Sequence, residues 1–107
     1  MPYVKLDVTN VASGWTVSAW RFGNTVTFSA HGYNPWTETR KWNYQLFKLP
    51  TEAVPPFDLT GNGSMFDSSW TSMTLFPVFI NADGTVLCSA VGFTPKDMYI
   101  LESYTCG

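Results

Sequence analysis

Residues 15–32 read WTVSAWRFGNTVTFSAHG, from Trp15 to Gly32. Gly23-Asn24 is a two-residue turn signal between two runs rich in Thr, Val and aromatic residues, which is the pattern of a β-hairpin. A two-residue turn sets the pairing, with Phe22 opposite Thr25, Trp20 opposite Thr27, Ala19 opposite Phe28 and Val17 opposite Ala30. Side chains alternate along a strand, so Trp15, Val17, Ala19, Val26, Phe28 and Ala30 fall on one face, with Arg21 near the rim. That face is expected to be core. The other face carries Thr16, Ser18, Thr25, Thr27, Ser29 and His31, and with them Trp20 and Phe22. Two large aromatics on a hydroxylated face need a cover, whether another strand, another subunit or a ligand.

A second hairpin follows the same logic. In TLFPVFINADGTVLCSAV, Thr74 to Val91, the segment Asn81-Ala82-Asp83-Gly84 suits a type I turn with Gly84 as a left-handed bulge. The bulged register places Ile80 opposite Val86, Val78 opposite Cys88 and Phe76 opposite Ala90, a continuous apolar face. A plain two-residue Asp-Gly turn would scatter these residues over both faces. Pro77, Phe79 and Leu87 remain on the outside, again too apolar for a solvated sheet.

Between and around the hairpins, Tyr3 to Val8 alternates and is expected to form a first strand. Lys41 to Leu49 alternates too, with Trp42, Tyr44 and Leu46 on one face and Asn43, Gln45 and Phe47 on the other. Pro50, Pro55 and Pro56 in LPTEAVPPFD forbid helix and central strand and favour an extended edge. Gly61-Asn62-Gly63 reads as a turn, Phe93 to Asp97 as a loop, and Met98 to Tyr104 as a closing strand. No helical pattern, repeat, low-complexity tract or linker occurs. The chain therefore reads as a single all-β domain over 1–107, an antiparallel β-sandwich or barrel of about six to eight strands.

Composition narrows the function. With 107 residues the chain is long enough for one core without metal or disulfide support. Charged residues make up 13% and aromatics 17%, which argues against disorder and fits a domain that buries surface against a partner. The net charge is −2 and the six basic residues cluster only at Arg40-Lys41, so no nucleic-acid footprint is expected. No apolar run approaches the ~20 residues of a membrane span, and no signal peptide is read before the first strand. Met1-Pro2 leads straight into that strand, as in a short natural chain or a piece of a longer protein with an N-terminal stem. Cys88 and Cys106 are read as free or paired, and neither state demands an oxidising compartment.

The residues of catalysis are sparse. His31 is the only histidine, with no serine elbow and no paired carboxylate nearby, so it is read as a polar or interface residue. Two cysteines and one histidine make no zinc set, and Asp58 and Asp67 lack calcium-loop spacing. Glycosidase chemistry needs two carboxyls about 5 to 9.5 Å apart, and nothing singles out a pair among Glu38, Glu52, Asp58, Asp67 and Glu102. No enzyme activity, cofactor or metal is expected.

Five Trp and five Tyr in a weakly charged β domain suit carbohydrate recognition, because a flat ring stacks on the apolar face of a sugar while polar neighbours bond its hydroxyls. The segment His31, Tyr33, Trp36, Glu38, Arg40 and Trp42 holds both ingredients, and Asp67 with Trp70 makes a second cluster. Trp36, in a polar loop beside Pro35, is the foremost stacking candidate. Trp20, Phe22, Phe79 and Leu87 are assigned to a subunit interface.

Four segments in order, GNTVTFSAHG, LFKLPTEAVPPFD, FPVFINADGTVLCSA and MYILESY, resemble the head domains of receptor-binding and baseplate or tail-fibre proteins from phages of Gram-positive bacteria, the lactococcal siphophages among them. The resemblance implies a β-sandwich or barrel that trimerises and binds host cell-wall saccharide, located at the virion's tail tip or baseplate among other tail proteins. A three-fold assembly would cover the second apolar face of each hairpin. The lactococcal members hold ligand with His, Asp and Trp late in the domain. There this chain has Pro77 and Phe79, and no site residue transfers. Two alternatives stand beside this reading: a structural tail module without glycan binding, and a monomeric carbohydrate-binding module of a secreted enzyme with a Cys88–Cys106 disulfide.

Overall fold

The computed structural model describes residues 3–92 and 94–106. The expectations for Met1-Pro2 and for Phe93 in its loop fall outside them. The quoted hairpin consists of β2 (Trp15–Phe22) and β3 (Thr25–Tyr33), and its pairs run from Trp15–Gly32 to Phe22–Thr25 in the expected register. Gly23 supplies the turn's positive φ of 60°. Trp15, Ala19, Val26, Phe28 and Ala30 are buried, and Val17 packs against them.

The second hairpin is β6 (Met73–Ile80) and β7 (Thr85–Val91), and it has the bulged register: Val78 pairs with Cys88 and Ile80 with Val86. Gly84, at φ 96°, donates its N–H to the Asn81 carbonyl, and the Asn81 N–H bonds the Thr85 carbonyl. The described ladder stops at Val78–Cys88. Phe76 lies over Gly63, and Ala90 pairs with Lys41 on the far side of β7.

Eight antiparallel strands form one curled sheet in the order β1-β2-β3-β8-β5-β6-β7-β4, where β1 is Val4–Lys5, β4 Arg40–Lys48, β5 Leu59–Phe66 and β8 Asp97–Thr105. The fold is all-β, as expected, and no α-helix occurs among the described residues. The concave side holds one core. At its centre Phe28 and Phe47 meet edge to face, with ring centroids 5.1 Å apart, and Met65, Phe76, Val78, Val86 and Met98 are fully buried around them.

Four local expectations are corrected. Tyr3 to Val8 is not a full strand: pairing covers two residues, after which the chain becomes a strap. The strap bonds β2 through Leu6 N–H to Ala19 O, and β4 through Thr9, which exchanges two hydrogen bonds with Lys48. It thereby ties the sheet's two ends together. Gly61-Asn62-Gly63 is not a turn but the middle of β5. A β-carbon on Gly63 would lie 2.3 Å from the Phe76 ring, and one on Gly61 equally close to the Glu102 carboxylate, so these glycines make room for neighbours.

In β4, irregular register between Lys41 and Tyr44 and between Gln45 and Phe47 breaks the simple alternation. Leu46 and Phe47 are both buried as a result, while Trp42 is exposed and Tyr44 half-buried. The proline-rich stretch contains no strand. It makes a 3-10 turn at Thr51–Ala53, held by the Tyr104 hydroxyl and the Arg21 guanidinium, which donate to the carbonyls of Ala53 and Glu52.

Candidate functional site

The outer face of the sheet builds the site. Its strand registers align Thr16, His31, Tyr99 and Ser64 as one row across β2, β3, β8 and β5, with Leu75 of β6 next in line. A neighbouring row runs through Ser18, Ser29 and Leu101. The residues of both rows other than Leu75, together with Asn62, line a groove of about 660 Å³. At a strand spacing of about 4.8 Å, the row from Thr16 to Ser64 spans roughly 14 Å.

His31 and Tyr99 stack nearly parallel, with centroids 4.5 Å apart and planes 4° from each other. The His31 ring is fixed from its other side of the chemistry: Nε2 lies 2.9 Å from Oδ1 of Asp97, which is only 4% exposed. A paired carboxylate therefore does stand beside the histidine, contrary to the sequence reading. It comes from 66 positions away, brought in by the β3–β8 ladder. The aromatic surface continues from Tyr99 to Phe66 at 5.9 Å and to Trp70 at 6.5 Å, and Phe66 and Trp70 lie 4.7 Å apart.

Of the candidate residues, His31 lines this groove, and Trp70 stands 6.5 Å from Tyr99 in the loop that Asp67 holds. Tyr33 is adjacent, its strand position paired with Asp97, and it receives Lys96, whose ammonium lies 3.0 Å from the hydroxyl and 4.4 Å from the ring centre. That hydroxyl raises the Lys96 pKa above its ordinary value. The rest of the loop cluster is not assembled here. Trp36 is buried at 8% exposure and tilts against Tyr44 at 5.1 Å, so its indole faces core rather than solvent. A proline and polar neighbours in sequence mark a loop, but the ring of Trp36 folds inward because it has a large apolar area to remove from water. Glu38 is exposed and pairs with Lys41 at 3.4 Å. Hydrogen bonding to its own backbone N–H, ahead of the Lys41 contribution, holds its carboxyl below the ordinary value. Arg40 and Trp42 are exposed on β4, at the opposite end of the strand order from β1.

Asp97, Tyr99, Phe66, Asn62 and Ser64 are the residues that sequence reasoning missed. The alternation of MYILESY already puts Tyr99, Leu101 and Ser103 on one face. What the alternation lacks is the partner strand.

A second hollow of about 460 Å³ opens where β5 and β8 part beyond the Gly63–Ile100 pair, walled by Phe57, Leu59 and Ile80. Its carboxylate, Glu102, accepts the Asn62 N–H at 3.0 Å. The groove on the outer face sets its polar groups around a stacked aromatic pair, which the second hollow lacks. Among the described residues no group of three His, Cys, Asp or Glu side chains converges to hold a metal. Cys88 and Cys106 are free and buried, and burial pushes the Cys88 thiol up to about 12. No family model matches the chain, and no curated protein matches it in sequence.

Proposed function

We propose that this chain is the receptor-binding head domain of a phage tail, a non-enzymatic module that holds a host cell-wall saccharide in the groove across β2, β3, β8 and β5. The observation that carries the reading is the stacked ring pair of His31 and Tyr99 set among hydroxyl and amide groups from Thr16, Ser18, Ser29, Asn62 and Ser64. A sugar presents the complementary surface, an apolar C–H face ringed by hydroxyls. The ordered resemblance of four segments to phage head domains supports the viral setting, at the tail tip or baseplate beside other tail proteins.

In the same reading the domain works as a homotrimer. Phe22 is 51% exposed, and Trp20, Phe79 and Leu87 lie on the outer face with part of their surface open. A secreted binding module with a Cys88–Cys106 bridge has no support from the two unbridged thiols.

The test is retention of wall polysaccharide purified from Gram-positive bacteria on the immobilised domain. The intact domain is expected to bind saturably, and Tyr99→Ala to lose at least about tenfold in affinity while keeping its melting transition. A folded domain that retains no wall polysaccharide would sink the saccharide reading in favour of a structural tail module.

A further inference from the structure

Trp70 has a backbone that needs a physical account. Its φ is +59°, in the left-handed region that residues other than Gly, Asn and Asp seldom enter. Such a conformation persists only where the surroundings over-determine it. The surroundings here are one carboxylate. Oδ1 of Asp67 accepts the Thr71 N–H at 3.1 Å and the Ser72 N–H at 3.4 Å; the Ser69 and Thr71 hydroxyls lie 3.2 Å from Oδ1 and 3.3 Å from Oδ2 and 2.7 Å from each other, so one donates to the other and the second to the carboxylate. The backbone closes the same loop: Trp70 N–H donates to the Asp67 carbonyl at 3.1 Å, and Asp67 N–H to the Ser72 carbonyl at 3.2 Å.

Each contact has the same consequence. The chain from Asp67 to Ser72 is wound around the carboxylate, and Trp70 is the residue at its bend. Its indole rests on Phe66 at 4.7 Å with 30° between the planes, stands 6.5 Å from Tyr99, and remains 52% exposed. A large apolar ring is therefore held in the open next to the groove's stacked ring pair, in a backbone state it would not choose. The carboxylate itself is occupied. Its bonds are to two amides and one hydroxyl of its own loop, with the amides both on Oδ1.

We infer that Asp67 is a positioning residue, not a ligand contact, and that it sets Trp70 as a stacking wall at the Tyr99 end of the groove, so that the site takes a saccharide of at least two sugar rings. One ring packs against the stacked His31–Tyr99 pair and the next against Trp70. This inference rests on the saccharide reading above for its ligand, and on the loop geometry alone for the link between Asp67 and Trp70.

Three variants separate these parts. Trp70→Asn removes the indole and puts in a residue that adopts the left-handed backbone readily, so the loop stays wound. Asp67→Asn keeps one carbonyl oxygen to accept the loop amides, and Asp67→Ala keeps none. Nuclear Overhauser contacts between Trp70 and the rings of Phe66 and Tyr99, measured without saccharide, are expected to persist in Asp67→Asn and vanish in Asp67→Ala. Their persistence in Asp67→Ala overturns the positioning role.

Affinity for the same purified wall polysaccharide is expected to fall at least about tenfold in Trp70→Asn and in Asp67→Ala, and less than about threefold in Asp67→Asn. Asp67→Ala added to Trp70→Asn is expected to cost no further affinity, because a residue acting only through Trp70 has nothing left to act on. A full additional loss would make Asp67 a direct contact and overturn the inference, and so would wild-type affinity in Trp70→Asn. If the wild-type domain binds no wall polysaccharide, the saccharide reading and the two-ring ligand both fall, while the Overhauser contacts still decide whether Asp67 positions Trp70.

Discussion

Gly61 and Gly63 show how a single missing β-carbon can organise a sheet. Each sits inside β5, where glycine weakens a strand through its backbone freedom, and each is there because a neighbour occupies the space. The neighbours differ. At Gly63 the obstacle is the ring of Phe76, which is 1% exposed and packed on every side. At Gly61 it is the end of the Glu102 side chain, which is half-buried and able to swing away. Gly63→Ala is therefore expected to lower stability by about 1–3 kcal/mol, as overpacking a filled core does, and Gly61→Ala by distinctly less. Urea denaturation of the two variants checks the order, and equal losses would contradict it. Sequence alone marks these glycines as a turn, since the Gly-Asn-Gly triplet has a local meaning and the Phe76 ring arrives from a different strand. Trp36 misleads for the same reason: its loop is legible, while the cavity beside Tyr44 that receives its indole is not.

Among the elements, the loop after β5 has a built-in pH response. Desolvation acts to raise the Asp67 carboxyl, but the bonds from the Ser72 and Thr71 amides and from the Ser69 and Thr71 hydroxyls outweigh it and leave the group below its usual value of 3.8. A carboxyl with a depressed folded pKa contributes its stability above the unfolded value and loses it as pH falls through the folded one. The wound loop is thus expected to be unchanged from about pH 7 to pH 5 and to loosen only below 3.8, with Asp67→Asn showing no such transition. Amide chemical shifts of Thr71 and Ser72 followed against pH report it, and a midpoint above 3.8 would be the wrong sign. At this scale the two hairpins were readable in advance, register included, because a two-residue turn and a bulged Asn-Ala-Asp-Gly turn carry their geometry within a few residues. Strand β4 was readable only in outline. Its irregular pairing with β7 answers to packing against Leu46 and Phe47 on the inside, which no alternation rule encodes.

For the molecule as a whole, the curled sheet shields one face of each hairpin and leaves the other partly open. Phe22 is exposed, and Trp20, Phe79 and Leu87 keep part of their surface in water. A homotrimer is expected to cover them, with a light-scattering mass three times the 12.0 kDa of the chain. Since apolar contact is screened little by salt, that mass should hold as ionic strength rises. The Trp20→Ser, Phe22→Ser double variant should dissociate toward monomer. A wild-type monomer at micromolar concentration would remove the trimer and leave the outer face to ligand alone.

What the sequence by itself determined is the part whose physics is local. The all-β class, the two hairpins and their faces follow from strand alternation and turn chemistry, and so does the hydroxylated outer row that ends in His31. Tertiary structure decided the rest. Only the β3–β8 and β5–β8 ladders bring Tyr99, Asp97, Ser64 and, at the groove's end, Trp70 to His31, and only the packing of Phe76 and Glu102 shows Gly61 and Gly63 to be strand. Pairing between distant strands is chosen by how the whole core fills, a sum over many weak contacts that no single stretch of chain contains.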